Sequence, residues 1–236
     1  MEERTLRARM LLGDAAMEKL KNSHVAVFGI GGVGSWCCEA LCRSGVGELT
    51  LVDRDTVGES NINRQLCALD STVGLPKAQV MAARLRDIAP DCRVHPILGH
   101  YEAANRERFF GPYDYVVDAI DLVSCKIDLI LSCRERGIPI ISALGTGNKK
   151  DASLLRIDDI ANTDHCALAR VVRKELRARG VLHHPVVFSP EEPMEPAQLE
   201  APPPGRRSIP GSLVWVPASA GFLLCQHVVT ELIRDV

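Results

Sequence analysis

Cysteine pairs of the C-x-x-C type are missing from this sequence, which removes a tetrahedral thiolate zinc site of the usual spacing. The cysteines number nine, an odd count, in a chain of 236 residues. Disulfide frameworks belong to much shorter secreted chains, so reduced and mostly buried thiols are expected. No charge of one sign dominates: the formal net charge is −2, which leaves the whole molecule without a pull toward a polyanion. Any RNA partner therefore needs a local basic patch. No apolar run follows Met1; Glu2, Glu3 and Arg4 stand there instead, and no secretory signal is read. The longest apolar stretch, Leu213 to Ile233, is interrupted by Pro217, Gln226, His227 and Glu231. A membrane span tolerates few such residues, so the stretch reads as a strand followed by a core helix. No internal repeat is visible.

What is present can build a core. Apolar residues make up 46% of the chain, enough without a staple. Leu6 to Leu20 reads as a helical N-terminal arm with Leu11, Leu12, Ala15 and Leu20 on its apolar side. His24 to Gly29 is a short apolar β run that enters a glycine-rich turn and then a helix through Trp36, Ala40 and Leu41. Further strands are read at Leu49–Asp53, Arg93–Ile97, Tyr115–Asp118 and Pro139–Ala143, with helices over Lys77–Ile88 and Val123–Arg136. Strands that are apolar throughout and alternate with helices imply an α/β fold with a parallel, doubly wound sheet. Beyond Gly147 come a charged helix from Cys166 to Arg179 and a short strand from Val186 to Ser189. The proline- and glutamate-rich stretch 189–207 reads as a mobile linker. Ser212–Val216 and a final helix then return to the core.

Gly29, Gly31 and Gly34 form G-x-G-x-x-G between the first strand and its helix, and Gly32 makes the run G-I-G-G-V-G. Such glycines let the backbone approach phosphate while the first N–H groups of the helix face the anion. Alone the motif is weak, because a tight strand-to-helix turn also uses glycine. Asp53 strengthens it by ending the next strand, where a carboxylate can accept hydrogen bonds from ribose hydroxyls. NAD and ATP both fit at this point. Arg64 and Lys77 weigh toward ATP, since two cations beside the same phosphates suit a departing pyrophosphate. Asp121 lies just past a strand end, where a carboxylate can hold Mg2+ against those phosphates. The plain alternatives are a surface salt bridge for Arg64 and a helix N-cap for Asp121.

Taken in order, G-I-G-G-V-G-S, L-V-D-R-D, N-I-N-R-Q, V-G-L-P-K and D-A-I-D resemble the adenylylation domain of the ubiquitin-activating-enzyme superfamily, from Arg7 to Gly147. The resemblance implies a Rossmann-like, mostly parallel sheet with a C-terminal extension. It implies a single adenylylating domain, 1–236, whose ATP-binding part is 1–147 and whose substrate-binding part is 148–236. By the same resemblance Asp53 binds ribose, Asn61, Arg64 and Lys77 contact ATP phosphates beside the glycines, and Asp121 coordinates Mg2+. Arg7, in R-A-R-M-L-L-G, is similar to an arginine that reaches across a homodimer into the partner's ATP site; its plain reading is a solvated helix charge.

The second half separates subfamilies. Relatives that activate sulfur-carrier proteins usually carry two C-x-x-C pairs. Here A-L-G-T-G-N-K-K-D, C-A-L-A-R-V-V-R-K-E-L-R-A-R-G, V-V-F-S-P-E-E-P and P-G-S-L-V-W-V-P-A-S-A-G resemble, in that order, the tRNA threonylcarbamoyladenosine dehydratase family. That resemblance implies a cytoplasmic enzyme that consumes ATP to cyclise threonylcarbamoyladenosine in tRNA. A carboxylate is a poor electrophile because its leaving group would be oxide. Attack on the α-phosphate of ATP converts it to an acyl-adenylate and releases pyrophosphate. A nitrogen of the same side chain then displaces AMP, with the advantage of an intramolecular reaction.

Cys166 begins the basic helix, where the helix dipole lowers a thiol pKa, and is the candidate if a protein nucleophile takes part. Its plain reading is a packing residue. RNA contact falls to Arg170, Arg173, Lys174 and Arg177, at i, i+3, i+4 and i+7 of one helix face, with Lys149, Lys150, Arg206 and Arg207 flanking. An ordinary solvated helix face is the alternative. His183 and His184 read as loop histidines. A homodimer and a sulfur-transfer protein are the expected protein partners, and three rival functions remain: an adenylyltransferase for a sulfur-carrier protein, an NAD-dependent oxidoreductase, and a non-catalytic partner subunit. The complete Asp53, Arg64, Lys77 and Asp121 set argues against the last.

Overall fold

The computed structural model describes residues 3–199 and 209–236. Helix α1 (Leu6–Lys21) leads into β1 (His24–Phe28), α2 (Gly34–Arg43), β2 (Glu48–Asp53), α3 (Lys77–Ile88) and β3 (Arg93–Leu98). The chain continues through β4 (Tyr115–Asp118), α4 (Val123–Glu135), β5 (Ile140–Ala143), β6 (Arg156–Asp159), α5 (Ala167–Arg177), β7 (Pro185–Phe188) and α6 (Trp215–Leu232). Among the described residues one seven-stranded sheet runs in the order β3-β2-β1-β4-β5-β7-β6. Every pairing is parallel except that of β6 with β7. The strand order reverses between β1 and β4, and at such a point the flanking loops part to leave a crevice beyond the strand ends. The expected α/β, Rossmann-like, mostly parallel sheet is the observed fold.

Alternation along β1 divides the core. Val25 and Val27 pack with Leu41 of α2, Leu85 of α3 and Leu224 of α6. Ala26 and Phe28 join Leu129 and Ile130 of α4 and Val172 and Leu176 of α5 on the other face. Each such fully buried Leu or Phe contributes about 2 kcal/mol. All nine cysteines are buried and free, as their spacing implies. Among the described residues no helix is long and apolar enough to cross a membrane.

Several expectations need correction. Residues 212–214 form no strand; α6 begins at Trp215, with Pro217 in its first turn, where a missing N–H is harmless. Strand β6 was not expected. Its sequence, R-I-D-D, carries three charges, which suit an edge strand but hide it from a search for apolar runs. The N-terminal arm is helical, yet Gly13 (φ +82°) interrupts it. Ala16 and Leu20 are its buried residues, whereas Leu11, Leu12 and Ala15 are exposed. Within the linker, residues 189–199 have no regular structure but are tied down. The Glu191 carboxylate accepts the N–H groups of Lys150 and Asp151, and Met194 N–H donates to Asn148 O. Residues 200–207 of that stretch, with Arg206 and Arg207, lie outside the described residues.

His184 is a loop histidine as read, but it is not exposed. It is buried directly before β7, and its Nε2 lies 2.8 Å from Ser142 Oγ. Burial, with the charges of Lys126 and Arg134 facing it, pushes its pKa down to about 3. The folded chain therefore refuses a proton that the unfolded chain accepts below about 6.5. Stability must fall as pH drops from that value toward 3. This group should remove about 2 kcal/mol between pH 7 and pH 5. Urea denaturation of the wild type and of His184→Gln measures it: the variant should lose that part of the slope, and identical slopes would refute neutral burial.

Candidate active site

The crevice at the strand-order reversal is a cleft of about 740 Å3, a size ordinary for nucleotide and cofactor sites. Its first wall is the glycine turn after β1. Gly29 has φ +92°, and a Cβ there would sit 2.6 Å from Ala119 O. Gly34 starts α2 so close to the strand that a Cβ would fall 1.8 Å from Gly29 O. Gly34 thus serves helix–strand packing, while Gly29, Gly31 and Gly32 line the cleft.

Asp53 ends β2 at the base of that turn. Its Oδ2 accepts the Ile30 N–H at 2.6 Å and its Oδ1 accepts the Asp55 N–H at 2.7 Å. The carboxylate therefore braces the glycine turn as well as lining the cleft. Burial raises its pKa, and the two backbone donors and Lys77 pull it back.

Lys77 arrives from a loop that closes on itself. Thr56 bridges Pro76, Val57 N–H donates to Leu75 O at 2.9 Å, and Lys77 N–H donates to Asp55 O at 3.0 Å. The Lys77 side chain is buried in the cleft wall, with Nζ 3.2 Å from Asp55 Oδ2. Arg64 is half-buried, and Nη1 donates to Ser60 O and Asn63 Oδ1, both at 2.8 Å. Burial lowers its pKa. Asn61 does not line the cleft. Its Oδ1 accepts the Gly58 N–H at 3.1 Å and its carbonyl accepts the N–H groups of Arg64 and Gln65, so it builds the turn that aims Arg64.

Asp121 lines the cleft and is exposed. Asp118 plays a different part. It is fully buried against Lys126, whose Nζ lies 2.6 Å from Asp118 Oδ2 and also donates to Ala143 O at 3.0 Å. Asp118 Oδ1 accepts the Ile120 N–H at 3.0 Å, which shapes the loop carrying Asp121. Sequence reasoning missed Lys126. Its signal was a lysine among the apolar residues of the helix V-S-C-K-I-D-L-I-L.

The cleft's far end is formed by Gly145, Thr146, Gly147, Leu168 and residues 210–212. Cys166 is buried there as the N-cap of α5, its Sγ accepting the Ala169 N–H at 3.4 Å. Of the α5 cations, Arg170, Lys174 and Arg177 are exposed. Arg173 turns inward, its Nη1 donating to Thr163 O at 2.7 Å and to Thr163 Oγ1. Lys149 is buried, with Nζ on His165 O at 3.2 Å. Arg7 is exposed on α1 and does not line this cleft.

Residues 3–230 match the ThiF family. The chain belongs to that family. A Bacillus subtilis (strain 168) relative, tRNA threonylcarbamoyladenosine dehydratase, is 43% identical over 240 residues, covering 98% of this chain and 94% of the relative. The crystal structure of the E. coli tRNA N6-threonylcarbamoyladenosine dehydratase TcdA in complex with AMP is similar at TM-score 0.91 and 35% identity, covering 99% of this chain and 96% of that one. The same enzyme in complex with ATP is similar at TM-score 0.89 and 36% identity, covering 99% and 95%. Proteins with these names thus match nearly the whole chain, beyond the glycine-rich half.

Proposed function

We propose that this chain is an ATP-dependent tRNA threonylcarbamoyladenosine dehydratase. The observation that carries the reading is one cleft lined by Gly31, Gly32, Asp53, Arg64, Lys77 and Asp121, in a chain similar over nearly its full length to dehydratases of that name. The glycine turn and the start of α2 receive the phosphates, and Asp53 receives the ribose hydroxyls. Arg64 and Lys77 neutralise charge as it grows on departing pyrophosphate. The substrate carboxylate becomes an acyl-adenylate, and a nitrogen of the same modified side chain displaces AMP. The net change is loss of water from the base, with ATP converted to AMP and pyrophosphate. The chain's residues position and neutralise charge; no protein nucleophile is required.

Asp121 is the residue that would hold Mg2+. Among the described residues no cluster of three or more His, Cys, Asp or Glu could hold a metal. A single carboxylate suits Mg2+, which is usually held by one or two carboxylates together with phosphate oxygens and water. The ion would supply charge neutralisation on the phosphates. A homodimer suits the exposed apolar face of α1, where Met10 is 65% and Leu11 88% exposed. In it, Arg7 of each copy would serve the other copy's ATP site. The setting this reading requires is cytoplasmic. A sulfur-transfer protein is a further partner in this reading; the rival reading is a sulfur-carrier adenylyltransferase.

The modified tRNA is read by α5 through Arg170, Lys174 and Arg177, with Arg173 holding the helix to the Thr163 turn. Incubation with ATP, Mg2+ and tRNA bearing threonylcarbamoyladenosine should release AMP and convert that nucleoside to a product lighter by one water in nucleoside mass spectrometry. No AMP and no mass loss would refute the reading; ATP–pyrophosphate exchange with a carrier protein in place of tRNA would favour the rival. Reversing Arg170 and Lys174 to glutamate should weaken tRNA binding about tenfold or more at low salt. The salt slope should fall with each phosphate that the variant no longer neutralises, with ATP affinity unchanged. Undiminished tRNA binding would remove α5 from the interface.

A further inference from the structure

The segment 210–212 is the cleft's most unusual wall, because it joins the nucleotide end to the far end. On one side Asn63 Nδ2 donates to Ser212 O at 3.0 Å, and Asn63 directly precedes Arg64. On the other side Asn148 grips Gly211 twice: Asn148 N–H donates to Gly211 O at 2.8 Å, and Asn148 Oδ1 accepts the Gly211 N–H at 2.7 Å. Asn148 holds φ +60°, a left-handed conformation that asparagine tolerates better than most residues. Its own carbonyl accepts the Met194 N–H at 2.8 Å. Neither asparagine lines the cleft, whereas Gly211 and Ser212 do.

We propose that residues 210–212 form a fixed bridge over the acceptor end of the cleft, and that Asn63 and Asn148 are positioning residues that set where the substrate carboxylate meets the α-phosphate. The proposal rests on the dehydratase reading. Adenylylation needs a carboxylate oxygen within attack distance of phosphorus, and a misplacement of about 1 Å costs on the order of a hundredfold. A segment with no regular structure does not hold such a position unaided. Here Ser212 O goes to the Asn63 side chain, Gly211 N–H to the Asn148 side chain and Gly211 O to the Asn148 N–H, so the bridge cannot shift without breaking one of these bonds. The tie through Asn63 also links the bridge to the turn that aims Arg64, since Asn63 Oδ1 accepts from Arg64 Nη1 at 2.8 Å.

The full-length protein, ATP and tRNA bearing threonylcarbamoyladenosine provide the test. Asn148→Gly keeps the left-handed backbone and removes only the side-chain acceptor. It should melt like the wild type and bind ATP with unchanged affinity in isothermal titration. Its kcat for AMP release should fall about tenfold or more. Asn148→Asp keeps the acceptor and should recover most of that loss, a rescue that depends on the Gly211 contact. Asn63→Ala should also lower kcat, and the double variant Asn63→Ala/Asn148→Gly should be little worse than the poorer single variant, because both ties hold one bridge. Full kcat in Asn148→Gly, or no recovery in Asn148→Asp, overturns the bridge while leaving the dehydratase reading intact. A wild type that releases no AMP with the modified tRNA overturns the parent reading, and this one with it.

Discussion

Replacing Lys126 with methionine should destabilise the protein by about 3–5 kcal/mol. The ammonium of Lys126 and the carboxylate of Asp118 are both 0% exposed and 2.6 Å apart. Removing the cation leaves a buried carboxylate with one backbone donor, the Ile120 N–H, and no counter-charge. The loss corresponds to a fall in Tm of about 6–20 °C for a domain of this size. The second variant, Asp118→Asn/Lys126→Met, removes both charges and keeps an acceptor for Ile120. It should recover at least about 2 kcal/mol, since the penalty is the unpaired charge and not the lost volume. Chemical denaturation reads both numbers. A Lys126→Met protein within about 1 kcal/mol of wild type would mean that water reaches Asp118 and that the pair does not brace the loop carrying Asp121.

The second large effect is on rate. Lys77→Ala should lower kcat for AMP formation by about 100- to 1,000-fold, the usual consequence of removing one fixed group aimed at developing charge. Stability should change little. The partner of Lys77, Asp55, has a side chain 54% exposed, and water replaces the ammonium once it is gone. The affinity for ATP should weaken less than kcat falls, because charge on the departing pyrophosphate is greatest in the transition state. Steady-state kinetics with calorimetric ATP binding separates the two. An equal loss in both would make Lys77 a ground-state binder. Unchanged kcat would remove it from the chemistry.

These two lysines had different visibility. Lys77 was legible because it follows Pro76 at the start of a helix, in an ordered series with Asp53 and Arg64. Lys126 was hidden because its sequence position says only that a cation interrupts an apolar helix face. Burial against a strand-end carboxylate eight residues earlier is a fact of packing between α4 and β4. Asn61 shows another limit: its motif pointed to phosphate, whereas the contact that the structure shows is with the turn before Arg64, where its Oδ1 accepts the Gly58 N–H. Arg173 fitted the basic stripe by spacing alone, yet the Thr163 turn packs against that part of α5 and takes its guanidinium.

By itself the sequence determined the sheet class and most of the elements, and it singled out residues that the fold gathers around one cleft. Those features are local: alternation between apolar strands and helices, a glycine turn, and an acid at the next strand end each follow from short-range stereochemistry. Only the tertiary structure decided the rest. It placed charged β6 at the sheet edge, buried His184 beside Ser142, paired Lys126 with Asp118, and carried residues 210–212 back between Asn63 and Asn148. Each of these joins residues far apart along the chain or depends on which side of a helix meets a neighbour. Such contacts are set by how the layers close around the core, a property no short window of sequence contains.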